Sequence, residues 1–361
     1  MNRKGAVALS LLAMAVSVVV LLGVEHTRYQ IKENFSKTIS GVDLVVGART
    51  SSLNLLLYSV FRIGSPTNNI SWDSFENISA DPRVKWAIPL SLGDSHKGYS
   101  VLGTTGAYFI HFNYGNKRHL KFDEGRPFED AFEAVLGSEV AKKLNYQLEN
   151  KIFLAHGMVG SSFSTHADHP FKVVGILSPT GTPVDQTVHV DLKGIEAIHR
   201  SWSPRTENAE AFSKSDDSKT LDLHPEEITA FMVGLHSKIT IFQVRKQINN
   251  YVLEPLTAIL PGVALSELWQ VVRVLENSLF LVSMFVFVAA CLGMSAVLLS
   301  SIRERRREIQ LLRVIGATPH FLFFLVELEA LLITLTGIVL GSGILVISIA
   351  ISKDYLVSSY G

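Results

Sequence analysis

Residues 304–332 read ERRREIQLLRVIGATPHFLFFLVELEALL. The first part is rich in arginine, and its apolar residues Ile309, Leu312, Val314 and Ile315 predict the apolar face of a helix. Gly316 follows, and glycine permits the left-handed backbone conformation that ends many helices. An almost uninterrupted apolar run begins a few residues later. This order predicts a short amphipathic helix that stops at Gly316 and is followed by a membrane helix.

Long apolar segments lie on both sides of the basic stretch and near the N-terminus. Residues 279–299 contain no charged side chain, and the only charged residues in 321–351 are two glutamates. Within residues 1–24 an apolar run follows two basic residues. Because about 20 apolar residues cross the hydrocarbon layer as a helix, the sequence predicts three membrane helices. The first is interpreted as an uncleaved anchor, with a cleaved signal peptide as the alternative.

Positive charges near the membrane ends indicate the orientation of these helices. Arg3 and Lys4 precede the first helix, and residues 301–320, between the second and third helices, contain five arginines. Since cytoplasmic loops carry the excess of Lys and Arg, both places are predicted to be cytoplasmic. Residues 25–277 must then lie on the opposite, extracytoplasmic side.

Residues 25–277 are long enough to build a core of their own. Short apolar or alternating runs predict strands and longer amphipathic patterns predict helices, so this domain is expected to be α+β. Strands are predicted at 42–46, 86–90, 99–102, 151–155, 171–177 and 187–190, and helices at 72–77, 131–144, 194–199 and 239–260. Residues 25–40 and 265–277 are predicted to pair as helical stalks, and the polar residues 204–227 to form a loop. The predicted fold is an α-helical membrane protein with a large α+β extracytoplasmic domain.

The composition excludes several classes of protein. The 33 Lys and Arg balance the 33 Asp and Glu, so a dedicated nucleic-acid-binding protein is not expected. An apolar content of 47% excludes disorder over the whole chain. The single cysteine, Cys291, excludes an intramolecular disulfide and a zinc site built from several cysteines.

The sequence contains none of the common catalytic motifs. There is no G-x-x-x-x-G-K-[ST] stretch to hold nucleotide phosphates, no G-x-S-x-G and no H-E-x-x-H. The chain is therefore predicted not to be an enzyme and to have no catalytic residues and no cofactor of its own.

Histidines in the extracytoplasmic domain are a weak candidate for a metal site. His166, Asp168 and His169 lie close together in sequence, with His156 nearby, and imidazole and carboxylate suit zinc. Their spacing matches no known metal signature, so a polar loop without metal is the favoured interpretation. A membrane-anchored metal-binding or receptor ectodomain is kept as an alternative function.

Two glutamates lie inside the third apolar segment. A carboxylate in a membrane segment is a functional candidate because its burial is costly. Glu327 is close to the cytoplasmic end, where it can reach the interface or the arginines. Glu329 lies deeper and is predicted to contact a neighbouring membrane helix.

The stretch 304–332 resembles the signature of the MacB/FtsX-type permeases of ABC transporters, RRREI-x-x-LR-x-x-GA followed by E-A-L-L. The matching positions are Glu308, Ile309, Leu312, Arg313, Gly316, Ala317 and Glu329 to Leu332. Residues 125–128, 135–141 and 171–177 look like core blocks of the external domain of that family. Residues 278–361 would then be the FtsX-like permease domain, and residues 25–277 the MacB-like domain.

The resemblance implies a permease subunit that has no ATPase activity. A separate ATP-binding subunit, which would hold ATP and magnesium, would bind the loop of residues 301–320 as a coupling helix. The side chains of Ile309, Leu312 and Ile315 would pack into a groove of that subunit. The implied orienting residues are Arg306, Arg307 and Glu308. Arg313, Gly316 and Ala317 complete the implied site of coupling to the ATPase.

Further partners and a location follow from the same resemblance. The family implies a second permease subunit, as a homodimer or a related chain, and a periplasmic or lipoprotein partner. Membrane lipid would contact the arginine cluster. The place would be the bacterial cytoplasmic (inner) membrane. The activity would be export or extraction of a lipoprotein, peptide or drug by mechanotransmission, or else regulation of a periplasmic partner.

One departure from the family concerns the number of membrane helices. The family usually has four, and this sequence shows three before it ends at Gly361. The chain is therefore expected to be a fragment that lacks the fourth helix.

Overall fold

The computed structural model describes residues 3–156, 169–202, 225–304 and 306–359. Contacts divide the chain into two units. A membrane unit comprises Met1–Lys32 and Gln270–Gly361, and an external unit comprises Glu33–Trp269.

Helices account for all the described secondary structure of the membrane unit. They are α1 (Arg3–Lys37), α8 (Pro261–Glu304), α9 (Arg306–Val314) and α10 (Pro319–Ser359), of which α1 and α8 extend beyond the unit. Among the described residues, three stretches are long and apolar enough to cross a membrane: Leu11–Gln30, Pro261–Ala296 and Pro319–Ile351. The prediction of three membrane helices is confirmed.

Close approach of α1 and α10 depends on two glycines of α10. A Cβ atom at Gly337 would lie 2.7 Å from Cγ of Met14, and one at Gly341 would lie 2.7 Å from the backbone oxygen of Ala15. Small residues let membrane helices approach this closely. A third helix, α8, joins them through Met294, which packs with Met14 and Ile333 in a small buried cluster.

An ion pair links α1 to α8. The Arg28 Nε donates to Oε2 of Glu276 at 3.1 Å, and its Nη1 lies 3.3 Å from Oε2 of Glu25 one turn earlier. Arg28 and Glu276 belong to the segments predicted to pair as stalks, and the pairing of those whole segments stays a prediction.

We expect a small but measurable coupling between Arg28 and Glu276. Exposed ion pairs contribute about 0.2–1 kcal/mol, and the Glu276 side chain is only 18% exposed, which favours the upper half of that range. Thermal unfolding of Arg28→Gln, Glu276→Gln and the double variant measures the coupling energy. Additive effects of the two substitutions would show that the pair contributes nothing.

The external unit contains six helices and fifteen strands among its described residues. The helices are α2 (Ser52–Leu56, continued by a π-turn at Leu57–Phe61), α3 (Trp72–Ser79), α4 (Ala107–His111), α5 (Ser138–Leu144), α6 (Leu192–Trp202) and α7 (Ile241–Asn249). The strands are β1 (Leu44–Ala48), β2 (Ile70–Ser71), β3 (Val84–His96), β4 (Tyr99–Thr104), β5 (Asn113–Tyr114), β6 (Arg118–His119), β7 (Phe122–Gly125), β8 (Glu133–Leu136), β9 (Lys151–Ile152), β10 (Ala155–His156), β11 (Phe171–Leu177), β12 (Thr187–Asp191), β13 (Glu227–Ile228), β14 (Ala230–Leu235) and β15 (Leu256–Ile259).

One mixed sheet of 11 strands organises this unit. Its order is β15-β1-β14-β3-β4-β12-β8-β11-β7, with β10 beside β3 and β9 beside β11. The pairs β4–β12 and β8–β11 are parallel, and the others along this order are antiparallel. The α+β fold class predicted from the sequence is confirmed.

The side chains of β14 alternate between two hydrophobic cores, one on each face of the sheet. Phe231 and Val233 face a cluster that contains Phe75 of α3 and Val244 of α7. Met232, between them, belongs to the cluster on the opposite face, which is built with α2 and α4. Because successive side chains of a strand point to opposite faces, β14 is apolar throughout and is buried on both sides.

Helix α7 covers the free edge of the sheet at β15. The Arg245 Nε donates to the backbone oxygen of Ala258 at 3.2 Å, and the Asn249 side-chain oxygen accepts from the backbone nitrogen of Ala258 at 2.7 Å. These two bonds occupy backbone groups that an edge strand would otherwise leave open.

Two predicted helices are wrong in part. The segment 131–144 forms β8 before α5, and Ala134, Val135 and Leu136 are fully buried between two neighbouring strands. The segment 239–260 ends as a helix at Asn249, and β15 follows, paired with β1. Short apolar runs fit a buried strand or a helix equally well by periodicity, and pairing with distant strands decides.

Several elements were not predicted, and one prediction falls largely outside the described residues. Helix α2 and the strands β7 and β14 are among the elements that the sequence did not predict. Most of the predicted loop 204–227 lies outside the described residues, and its last residue, Glu227, belongs to β13.

Candidate functional site

The basic loop is a short helix with a defined end. Helix α9 ends at Val314, and Gly316 has a φ of +100°. The backbone nitrogen of Ala317 donates to the oxygen of Leu312 at 2.9 Å, and that of Gly316 to the oxygen of Arg313 at 3.1 Å. These bonds satisfy carbonyl groups that a helix end leaves open, as in a left-handed glycine cap.

The apolar side chains that α9 exposes most are Val314 and Ile315 of the predicted face, together with Leu311. Leu311, Val314 and Ile315 are 63%, 85% and 83% exposed, whereas Ile309 and Leu312 are half-buried. Positions three and four apart lie on one side of a helix, so Leu311, Val314 and Ile315 form a single patch. We call these three residues the α9 patch.

Two family models together match most of the chain. The model of the MacB-like periplasmic core domain matches residues 7–251, and that of the FtsX-like permease C-terminal domain matches residues 280–360. The chain belongs to the MacB/FtsX-type family of ABC transporter permeases. The resemblance read from residues 304–332 is therefore confirmed.

Solved structures similar to this permease are external domains. The periplasmic region of MacB from Actinobacillus actinomycetemcomitans is 11% identical, with a TM-score of 0.40, over 64% of this chain and 94% of that one. The extracellular domain of the noncanonic ABC-type transporter YknZ from Gram-positive bacteria is 9% identical, with a TM-score of 0.35, over 60% and 99%. A comparison with curated proteins gave no significant match.

The remaining predicted residues of the permease loop are placed only in part. Arg306, Arg307 and Glu308 belong to α9, but their side chains lie outside the described part of the structure. Arg313 is exposed near the end of the helix. In α10, Glu329 is half-buried, as a contact between membrane helices requires, and that contact stays a prediction.

The candidate metal residues are only partly within the described chain. His166 and Asp168 lie outside it. His169 lies two residues before β11 and stacks on Phe132, with 5.5 Å between ring centroids. This is a packing contact. Within residues 3–156, 169–202, 225–304 and 306–359, no three His, Cys, Asp or Glu side chains are arranged to hold a metal ion.

A titratable side chain that the sequence did not mark as a candidate lies in the core of the external unit. His189 of β12 is fully buried beside Tyr108, with 5.3 Å between ring centroids. Its Nδ1 lies 3.3 Å from the backbone oxygen of Val135, and its Nε2 has no hydrogen-bond partner among the described residues. Burial, with a smaller contribution from the Arg62 guanidinium, lowers the pKa of His189 to about 3.

Proposed function

We propose that the chain is the permease subunit of an ABC transporter and that α9 binds a separate ATPase subunit, which holds ATP and magnesium. The α9 patch carries this proposal. Three adjoining apolar side chains this exposed, on a loop predicted to be cytoplasmic, are what a binding surface would present. The patch lies within the region that matches the FtsX-like permease domain.

The cap at Gly316 supports the same role. It ends α9 within two residues of Val314, and α10 begins at Pro319, so the patch is joined to a membrane helix by a short, hydrogen-bonded turn. If its partner displaced α9, the short turn would therefore transmit most of that displacement to α10. Arg313 and the basic residues before it are proposed to orient the docked helix.

The route from the loop to the outside is helix α8. It runs without interruption from Pro261 to Glu304, 44 residues, which corresponds to about 66 Å. A single residue, Leu260, separates β15 from the first residue of α8. We propose that motion of α8 changes the external unit by mechanotransmission, in the inner membrane of a bacterium and together with a second permease subunit. The activity served would be export or extraction of a lipoprotein, peptide or drug.

Substitutions in the α9 patch test the docking of the ATPase. We expect Leu311→Ser, Val314→Ser and Ile315→Ser together to weaken binding of the ATPase at least tenfold, about 1.4 kcal/mol, because burial of even one such side chain contributes more. Co-purification of the ATPase and its permease-stimulated ATP turnover are the measurements.

A matched control lies on the same helix. Gln310 is exposed, and Gln310→Ser should leave both binding and stimulated turnover near those of the unchanged chain. Equal co-purification of the triple variant and the Gln310→Ser variant would overturn the proposed role of α9.

A further inference from the structure

The external unit carries an exposed apolar surface around helix α7. Ile239 and Phe242, at its start, are 89% and 68% exposed, and Val252 and Leu253, just after its end, are 93% and 79% exposed. The helix has nine residues and is about 14 Å long, so the four side chains flank one short element. Apolar side chains that are exposed together, rather than singly, mark interaction sites. We call Lys238, Ile239, Phe242, Lys246, Val252 and Leu253 the α7 surface.

Other side chains of α7 hold the helix on the sheet. Val244 and Ile248 are buried in the core that contains the inner face of β14. Arg245 and Asn249 bond the backbone of Ala258. The helix is therefore anchored without Ile239 and Phe242, whose exposure leaves them available to a partner.

The charges of the α7 surface indicate the chemistry of that partner. Residues 236–253 contain Lys238, Arg245 and Lys246 and no acidic residue. Lys238 and Lys246 are exposed. Phe242 lies between these lysines in sequence, and Lys246 lies one turn after it on the same side of the helix. The apolar side chains are thus accompanied by positive charge.

Two arginines from other elements bring further positive charge to α7. The Arg83 guanidinium donates to the side-chain oxygen of Gln247, and the Arg49 Nη2 lies 3.4 Å from the backbone oxygen of Asn249. Asp81 forms a two-contact ion pair with Arg83, at 2.8 and 2.5 Å, so its charge is compensated there. The region around α7 is basic, although the whole chain has no net charge.

The lysines of the α7 surface are not neutralised by the described part of the chain. Within it, no ion pair joins Lys238 or Lys246 to a carboxylate. Glu254 is the first acidic residue after this segment, and it accepts from the backbone nitrogen of Ser71 at 3.1 Å and from its hydroxyl at 3.0 Å. Both lysines can therefore pair with carboxylates of another molecule.

A partner that carries carboxylates beside its own apolar side chains complements the α7 surface. Interfaces place opposite charges against each other, and like charges at the same place disfavour a wrong partner. A second copy of this chain fits less well, because a symmetric contact would bring the lysines of one copy towards those of the other. Residues 25–277 are predicted to lie in the water outside the membrane, where a soluble protein can reach this surface.

We propose that the α7 surface binds an acidic, apolar segment of a soluble protein on the external side of the membrane. Ile239 and Phe242 pack against apolar side chains of that segment, and the two lysines of the surface pair with its carboxylates. Val252 and Leu253 extend the contact beyond the end of the helix. This binding does not depend on the ATPase that α9 is proposed to bind.

Titration of the full-length chain with synthetic peptides tests this binding. The chain is held in phosphatidylcholine nanodiscs, and each peptide carries a fluorescent label whose anisotropy reports binding. The acidic probe is an amphipathic helix with leucines on one face and glutamates on both sides of that face. The basic probe has lysine in place of each glutamate, and the polar probe has serine in place of each leucine.

We expect the acidic probe to bind more tightly than the other two probes, and to bind less tightly as the salt concentration rises. Phe242→Ser should weaken its binding at least tenfold, about 1.4 kcal/mol, because burial of a phenylalanine side chain contributes at least that much. Lys238→Gln with Lys246→Gln should weaken it about fivefold, about 1 kcal/mol, since two exposed ion pairs are lost.

Matched control variants are available on α7 and on α5. Gln243 is exposed next to Phe242, and Gln243→Ser should leave the affinity for the acidic probe unchanged. Lys142 of α5 is exposed, and Lys142→Gln removes a positive charge outside the α7 surface, again without effect on binding. All these side chains are exposed, so an unchanged thermal transition confirms the fold of each variant before it is titrated.

Several results would overturn the proposal. Equal affinities for the acidic and basic probes, or equal affinities of Phe242→Ser and Gln243→Ser for the acidic probe, would show that the α7 surface does not select this chemistry. Cys291 is the only cysteine, so Phe242→Cys with Cys291→Ala carries a single thiol. A disulfide between two such chains would show that a second copy covers the surface. A bimane label on this thiol whose emission shifts to the blue in phosphatidylglycerol nanodiscs, without any probe, would show that lipid occupies it.

Discussion

Gly341→Val is expected to separate helix α1 from helix α10 and to destabilise the membrane unit by about 3 kcal/mol. The added Cβ would lie 2.7 Å from the backbone oxygen of Ala15 and 2.9 Å from Cβ of Val18. A backbone atom cannot move aside as a flexible side chain does, so the helices must part. Thermal unfolding of the detergent-solubilised chain measures the loss of stability.

Substitution of two other glycines of α10 is expected to have smaller effects, which makes them suitable comparisons. Gly337→Val should cost less, because the nearest atom is Cγ of the flexible Met14 side chain. Gly343→Val should change little, since a Cβ there meets no described atom within 4 Å. All three variants add the same side chain to the same helix, so their intrinsic helix propensity is matched. Similar losses at 341 and 343 would contradict the assignment of the α1–α10 contact.

The second prediction is a loss of stability in acid that depends on His189. In the folded chain its pKa is lowered to about 3, and an unfolded histidine titrates near its ordinary value of about 6.5. The unfolded chain therefore binds the proton first. The stabilising contribution is complete above pH 6.5 and is lost as the pH falls towards 3. At pH 5 the loss is about 2 kcal/mol, at about 1.4 kcal/mol per pH unit.

Urea unfolding of the full chain at pH 7 and pH 5 measures this effect. His189→Phe should reduce the difference in unfolding free energy between the two pH values by about 2 kcal/mol, whatever its own cost at pH 7. His111→Asn is a useful control, because His111 is only half-buried where it stacks on Trp86. An unchanged pH dependence in His189→Phe would show that this histidine is not the group that titrates.

Local chemistry made part of the fold predictable from the sequence. The three long apolar runs and the glycine after Ile315 need no distant partner to act, and they appear as α1, α8, α10 and the cap of α9. By contrast, β14 reads AFMVGL, a run without alternation, because it is covered on both faces by segments far away in sequence. The paired strands that bury β8 and β14 set their structure, and a window of a dozen residues does not contain that information.

The candidate site shows the same division. The helix and its end were predictable from arginine, apolar spacing and glycine. The side chains that it presents were predictable only in part, since Val314 and Ile315 of the predicted face are exposed, whereas Leu312 is half-buried and Leu311 is exposed. Which side of a short helix is covered depends on its neighbours in space. No sequence signal marks His189 either, because its burial follows from the position of β12 between β4 and β8.

The pairing of β1 with β15 has a mechanical consequence. Val45 lies opposite Ile259 in an antiparallel ladder, and the chain arrives from α1 at this end and leaves for α8 from the same end. A pull that drew the two helices apart would peel the strands open from there, breaking their hydrogen bonds one after another. A push shared by both helices would leave that ladder unloaded. The β1–β15 ladder therefore transmits motion that α1 and α8 share, and it opens when the two helices move apart.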